Sequence, residues 1–192
     1  QVTGQPAVLM LTRRESFLSR YKRCPFDIRF KSGASKDGKL LAIEVEYTAD
    51  CGGYTAHAVP LMKRAAYHAT GIYEVPHCKV TGVAVYTNNL PCAAFNGFGN
   101  PQMGLATESQ MDQLAEALDM DPVALRLNNA LVPGSYTGTN QLLDHSVGIK
   151  PLIEQVAQRA SWSTKKARRP VLGSNSKRRG IGIGCSWHGN GT

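Results

Sequence analysis

The 192-residue sequence has no apolar run near the roughly 18 residues that a membrane-crossing helix needs. It has no Cys-x-x-Cys pair and no cysteine–histidine spacing of a zinc site. Internal repeats and low-complexity tracts are missing too. The start, Gln1-Val2-Thr3, shows no initiator methionine, basic stretch or apolar stretch of a secretory leader. No leader is expected, and the chain reads as a piece of a longer protein. Charge is scarce at 19%, whereas apolar residues make up 42%. That balance excludes disorder and leaves enough material for a core.

Acids are scarcer than bases, 14 against 22, which gives a net charge of +8. The excess is local. Lys165, Lys166, Arg168, Arg169, Lys177, Arg178 and Arg179 crowd one acid-free stretch. The body is close to neutral. The stretch holds no aromatic residue to stack on bases, so a solvated linker is favoured over a nucleic-acid site. Cys24, Cys51, Cys78, Cys92 and Cys185 are odd in number and scattered. They suit free thiols in a reducing compartment, so a cytoplasmic location is expected; the other reading is a secreted protein with two disulfides.

What is present reads as strands first and helices after. Residues 7–12 form a short apolar run behind Pro6, expected to be a buried strand. Phe26, Ile28 and Phe30 alternate with Asp27, Arg29 and Lys31. Asp37-Gly38 is a turn signal, and Ile43, Val45 and Tyr47 then alternate with Glu44, Glu46 and Thr48. The pair predicts a long antiparallel hairpin with one wet face. A short helix is expected over 58–69 and a strand around Val80, Val83 and Val85. Met103, Thr107, Met111, Leu114 and Leu118 lie on one helical stripe. Asp121-Pro122 is an N-cap followed by a first-turn proline, and 149–160 has helical spacing. The expected class is α+β: antiparallel strands with a long hairpin, packed against several helices.

One loop carries most of the chemical signal: Ala94-Phe95-Asn96-Gly97-Phe98-Gly99-Asn100-Pro101-Gln102. Its glycines allow close backbone approach or positive φ. Phe98 between them either presents a bare ring face to a flat ligand or plugs the core. His57, His77, His145 and His188 share no ligand spacing, and no Ser/His/Asp set suggests a nucleophile. No metal-ligating side chain is expected.

The loop resembles the Ala-Phe-Arg-Gly-Phe-Gly-Gly-Pro-Gln segment of the molybdenum hydroxylases, the xanthine dehydrogenase and aldehyde oxidase family. Collinear segments are similar as well: Pro25-Phe26, Ala49-Asp50-Cys51-Gly52-Gly53-Tyr54, Tyr73-Glu74-Val75-Pro76-His77, Thr87-Asn88, Glu108, Met111-Asp112, Asp121-Pro122, Leu125-Arg126 and Asn128-Asn129. The resemblance runs through roughly 6–160 and, more weakly, 178–192.

The resemblance implies a fragment of a molybdopterin-binding catalytic region. Residues 1–162 would be the central part of a first molybdopterin-binding domain. Residues 163–179 would be a basic linker or loop, and 180–192 the first strand of a second such domain. Family members insert a water-derived oxygen into a C–H bond of an N-heteroaromatic, purine-like compound or an aldehyde. The cofactor is molybdenum on a molybdopterin, plain or in its cytosine dinucleotide form. Iron–sulfur centres and FAD carry electrons away and would lie in other domains or subunits. By the resemblance, Phe95, Asn96 and Gly97 bind the cofactor, and the backbone N–H at Asn96 faces the metal centre. The family has Arg where Asn96 stands, so only the backbone role carries over. Phe98 packs on a flat substrate, and Arg64 anchors a substrate oxygen; the other reading of Arg64 is a solvated helix residue beside Lys63. The family's general-base glutamate and Gly-rich cofactor loop have no counterpart here. No catalytic residue is therefore assigned, and the chain alone is expected to be inactive. Expected partners are the small substrate, the rest of the molybdenum region and the electron-carrying units, with no nucleic acid and no membrane. The alternative is a non-enzymatic basic binding module on the same scaffold.

Overall fold

A computed structural model describes residues 4–167 and 180–189. The chain runs α1 (Arg13–Ser19), β1 (Phe26–Ala34), β2 (Leu40–Asp50), α2 (Ala58–Tyr67), β3 (His77–Val85), α3 (Asn100–Ala117), α4 (Pro122–Asn129), α5 (Ile149–Arg159) and α6 (Trp162–Ala167). The α+β class holds, and the three strands form one sheet in the order β1-β2-β3.

The alternation in sequence becomes a hairpin in the structure. β1 and β2 pair antiparallel, with Phe26 opposite Ala49 and Phe30 opposite Val45. Ile43, Val45, Tyr47 and Ala49 point inward from β2 and are buried. Asn129, buried in α4, pins the turn. Its Oδ1 accepts from Leu40 N at 2.8 Å, and its Nδ2 donates to the Gly38 carbonyl at 2.7 Å.

The expectation of antiparallel strands fails at β3, which pairs parallel to β2 from Ala42–His77 to Asp50–Val85. The reason is the connection. The chain leaves β2, forms α2 and re-enters at the starting end, and such a crossover yields a parallel neighbour. Alternation reports which face is buried but not which way a strand runs. The strand expected at 7–12 is also absent. These residues have no regular structure, and Val8, Leu9 and Met10 are almost fully exposed. An apolar run becomes a strand only when a neighbour takes its backbone hydrogen bonds. No strand among the described residues does so. Thr12 instead caps α1, with Glu15 completing a capping box.

α3 lays the expected stripe on the sheet. Met103, Thr107, Met111 and Ala115 are buried, with Leu114 and Leu118 packed at the margin. Burying each large apolar side chain contributes about 1.5–3 kcal/mol. Asp121 caps α4 through Val123 N and Ala124 N at 2.8 and 3.1 Å. Of the basic stretch, 163–167 belong to α6, and 168–179 lie outside the described residues. Residues 180–189 pair with no strand among the described residues. Their exposure nevertheless alternates, and Ile183, Cys185 and Trp187 pack on the main core.

Candidate functional site

The loop ahead of α3 rests on glycines that cannot be replaced without movement. Gly97, Phe98 and Gly99 are consecutive positive-φ residues, at 97°, 48° and 91°. A Cβ on Gly99 would stand 2.7 Å from the Leu61 carbonyl oxygen, and one on Gly97 2.5 Å from Pro101 Cγ. The left-handed backbone at Phe98 costs about 1–2 kcal/mol, since it is not glycine. Two tight bonds hold the turn, Phe98 N to Phe95 O at 3.1 Å and Asn100 N to Gly97 O at 3.0 Å.

The loop has two flanks. On the first, Phe98 is half-buried. It packs on Leu61, Cys24 and Cys92 and also lines a cleft of about 780 Å³. Arg64, Lys63, His68, Trp187 and Gly189 line the same cleft. Phe98 thus packs on a small core cluster and borders the cleft at once. Arg64 is half-buried in the last turn of α2, and its Nη1 donates to the Gly189 carbonyl at 2.7 Å. It is not a freely solvated residue.

Segment 180–189 closes this flank. Asn100 Nδ2 donates to the Trp187 carbonyl at 2.7 Å. Further along α3, Glu108 Oε2 accepts from Cys185 N at 2.9 Å and from Arg126 Nε at 2.9 Å, and Oε1 accepts from Tyr73 OH at 2.7 Å. Arg126 is fully buried and also meets Asp112 at 2.8 Å. Burial alone would push its guanidinium toward the neutral form. Tyr73, Glu108 and Asp112 more than reverse this, so it stays charged. Each buried charge here has its partner, which is the condition for burying it at all.

His68, one turn beyond Arg64, is 3% exposed. Its Nδ1 lies 2.7 Å from the Arg64 carbonyl, and its Nε2 accepts from Gly189 N at 3.2 Å. Those partners require a neutral ring with the proton on Nδ1. Burial, the largest cause, and the positive neighbours hold its pKa below the ordinary 6.5.

On the second flank, Phe95 and Asn96 face a recess of about 550 Å³ together with Arg13, Ser16, Arg20 and Lys22. Arg23 grips the loop here. Its guanidinium sits 5.1 Å from the Phe95 ring centroid, and it donates to the Asn96 carbonyl at 3.1 Å. The N–H groups of Asn96 and Gly97 donate to nothing among the described residues. They are free donors on a loop tip, suited to an electron-rich group.

All five cysteines are free, and Cys24, Cys51 and Cys92 are buried. Burial raises the pKa of each of these three thiols, which keeps them protonated. No group of three or more His, Cys, Asp or Glu among the described residues could hold a metal ion.

The structure thus brings Arg64 and Phe98 together and sets Phe95, Asn96 and Gly97 around the tip. Sequence reasoning gave no role to His68, Arg23, Trp187 or Gly189. The i, i+4 spacing of Arg64 and His68 on one helix was the available signal. For Arg23 there was none.

Fold and loop together form one wall of a cleft. Residues 1–130 match the molybdopterin cofactor-binding domain family. The large molybdopterin subunit of nicotinate dehydrogenase from Eubacterium barkeri is 40% identical over 158 residues, which is 82% of this chain and 37% of that protein. Xanthine dehydrogenase 1 from Arabidopsis thaliana is 31% identical over 184 residues, covering 94% of this chain and 13% of that one. A solved structure of the aldehyde oxidoreductase from Desulfovibrio gigas superposes with a TM-score of 0.72 at 34% identity, over 79% of this chain and 17% of that one. The chain belongs to the molybdopterin cofactor-binding family of the xanthine dehydrogenase and aldehyde oxidoreductase type. It spans well under half the length of these relatives.

Proposed function

We propose that this chain is the loop-bearing part of a molybdenum hydroxylase acting on an oxygen-bearing N-heteroaromatic compound, purine-like in shape, or on an aldehyde. The observation that carries the reading is one cleft lined by a half-buried arginine and a strained aromatic residue from distant parts of the sequence. The nicotinate named in one relative is itself an N-heteroaromatic acid, which supports that substrate class.

The residues present fit a molybdopterin. Asn96 and Gly97 offer free backbone N–H groups, and Arg23 occupies the carbonyls on the opposite side of that turn. When bound, the cofactor supplies oxygen transfer and a two-electron sink. The chain supplies position. Phe98 stacks on the flat ring of the substrate, a contact worth about 0.5–1.5 kcal/mol beyond burial. Arg64 donates to a substrate oxygen on which negative charge grows, so its effect falls mainly on the transition state. Any metal is held by the cofactor and not by side chains of this chain.

The rest of the molybdenum region, with the general base, and the iron–sulfur and FAD units belong to further domains or subunits. The domain division at 163–179 is part of the same proposal. Five free thiols suit a cytoplasmic enzyme. No helix among the described residues is long and apolar enough to cross a membrane.

Metal analysis is the direct test. The assembled enzyme should hold stoichiometric molybdenum and hydroxylate a heteroaromatic compound. The isolated 192-residue chain should do neither. Stoichiometric molybdenum in the isolated chain would refute its role as one wall only.

A further inference from the structure

Within the cleft, one residue is held through both of its backbone polar groups. Gly189 N–H points to His68 Nε2 at 3.2 Å, and Gly189 C=O accepts from Arg64 Nη1 at 2.7 Å. His68 reaches back through Nδ1 to the Arg64 carbonyl at 2.7 Å. Three contacts therefore close a ring through Arg64, His68 and Gly189. A Cβ on Gly189 would stand 3.2 Å from Arg64 Nη1, so the guanidinium sits close against this residue.

We propose that His68 is a positioning residue: its neutral ring holds the Gly189 backbone against Arg64, and protonating that ring opens the latch and takes from Arg64 the carbonyl that orients it in the Phe98 cleft. This rests on the reading of Arg64 as the substrate anchor.

The chemistry of the latch is one-way. A protonated imidazole carries N–H on both nitrogens and accepts nothing. Nε2–H would face Gly189 N–H, donor against donor, and a second positive charge would stand beside Arg64. The surroundings do not rescue the charged form. The titratable groups nearby are Arg64 itself, His188 with its ring 5.7 Å away, and the cleft-lining Lys63 and Tyr67. No carboxylate among the described residues lines this cleft. His188 Nδ1 lies 3.0 Å from the same Gly189 carbonyl and touches neither nitrogen of the His68 ring.

The direction follows from linkage. With the latch open, His68 takes up a proton near the ordinary 6.5; with it closed, burial holds the pKa lower. The closed state is fully favoured above that value and loses ground as pH falls through the lower pKa. Arg64 then loses the Gly189 carbonyl as an orienting partner, and a loosened donor acts chiefly on the reaction of substrates that use it.

Two measurements test this. In the ¹⁵N-labelled 192-residue chain, the Gly189 amide should shift with the titration of His68, tracked separately from His188. The shift should vanish in His68→Gln. In the assembled enzyme, kcat on a heteroaromatic substrate, taken relative to kcat on an aldehyde, should fall on the order of tenfold between about pH 7.5 and pH 5.5, because a misplacement of about 1 Å in a positioned group can cost about a hundredfold. In His68→Gln that relative fall should vanish, whatever the absolute kcat. Gly189→Ala, which presses on Arg64 from the other side, should lower the relative kcat while His68 still titrates. A Gly189 amide indifferent to His68, or a relative acid fall in kcat that survives in His68→Gln, overturns the latch. Wild-type kinetics in Arg64→Met would overturn the substrate-anchor reading instead, and the amide titration still decides the latch.

Discussion

Phe95 and Phe98 sit three residues apart in one loop and live in opposite surroundings. Phe98 is half-buried, strained at φ 48° and flanked by glycines that touch Leu61 and Pro101. Its cleft is closed by a distant segment and backed by a buried ion-pair network. Phe95 is 47% exposed, with a guanidinium over its ring. The difference shows how the work is divided. This chain builds the Phe98 flank from its own residues, and many contacts over-determine its shape. The Phe95 flank is an open surface with free donors, suited to a ligand that brings its own bulk. Strain persists where the surroundings over-determine it. Changes on the Phe98 flank should therefore be costly, and changes on the Phe95 flank mild.

The largest effect should come from Arg126, far from the loop. Arg126→Met leaves Glu108, mostly shielded from water, without its cation and loosens the hold on Cys185 N. Removing one partner of a buried pair costs about 3–5 kcal/mol. Urea unfolding of the 192-residue chain should show that loss. Proteolysis should also cut nearer to residues 180–189, while the Phe95 flank keeps its wild-type pattern. A loss under about 1 kcal/mol, in the range of exposed ion pairs, would mean that the network does not brace the Phe98 flank.

Arg64→Met comes next. In the assembled enzyme, kcat on a heteroaromatic substrate should fall on the order of 10²–10³-fold, as expected for a donor worth about 2.7–4 kcal/mol in the transition state. Turnover of an aldehyde, which needs no clamp at that end, should survive. Equal losses on both substrates with metal content intact would make Arg64 structural.

Gly99→Ala is smaller and tests the loop itself. Its Cβ would meet the Leu61 carbonyl oxygen, a backbone atom, at a φ of 91°. Strain of this kind costs about 1–3 kcal/mol. Gly33→Ala serves as the control, because nothing lies within 4 Å of its Cβ and its φ is ordinary. Similar melting temperatures for the two variants would show that the glycines do not set the loop against α2.

Much of this architecture was legible in the sequence because it is local. The hairpin, the α3 stripe and the Asp121 cap each follow from a period or a spacing within one element. The cleft was legible only in part. Arg64 and Phe98 were paired by family resemblance, not by any local pattern. The parallel course of β3 depends on a crossover, and the exposed 7–12 run depends on a partner strand that the described residues do not supply. The His68–Gly189 and Arg23–Asn96 contacts join residues far apart in sequence. No window of periodicity contains both members of either pair.

The smallest effect should come from Arg23, whose guanidinium lies over the Phe95 ring. Its contacts are exposed: a cation–π contact and two carbonyl hydrogen bonds, at 3.1 Å to Asn96 and 3.5 Å to Phe95. An exposed cation–π contact contributes about 0.5–1 kcal/mol. The hydrogen bonds compete with water and add little. Arg23→Ala should therefore lower stability by about 1 kcal/mol or less in urea unfolding. It should act on the ligand instead. Without the guanidinium on their carbonyls, the Phe95–Asn96 and Asn96–Gly97 peptides can rotate, and their N–H groups lose a common direction. The assembled enzyme carrying Arg23→Ala should retain less molybdopterin after dilution and gel filtration, while its unfolding curve stays near wild type. Arg23→Lys keeps the charge but loses the planar fork, and should fall between the two. Full cofactor retention in Arg23→Ala would show that the free donors keep their direction without Arg23. A stability loss as large as that of Arg126→Met would erase the contrast between the two flanks.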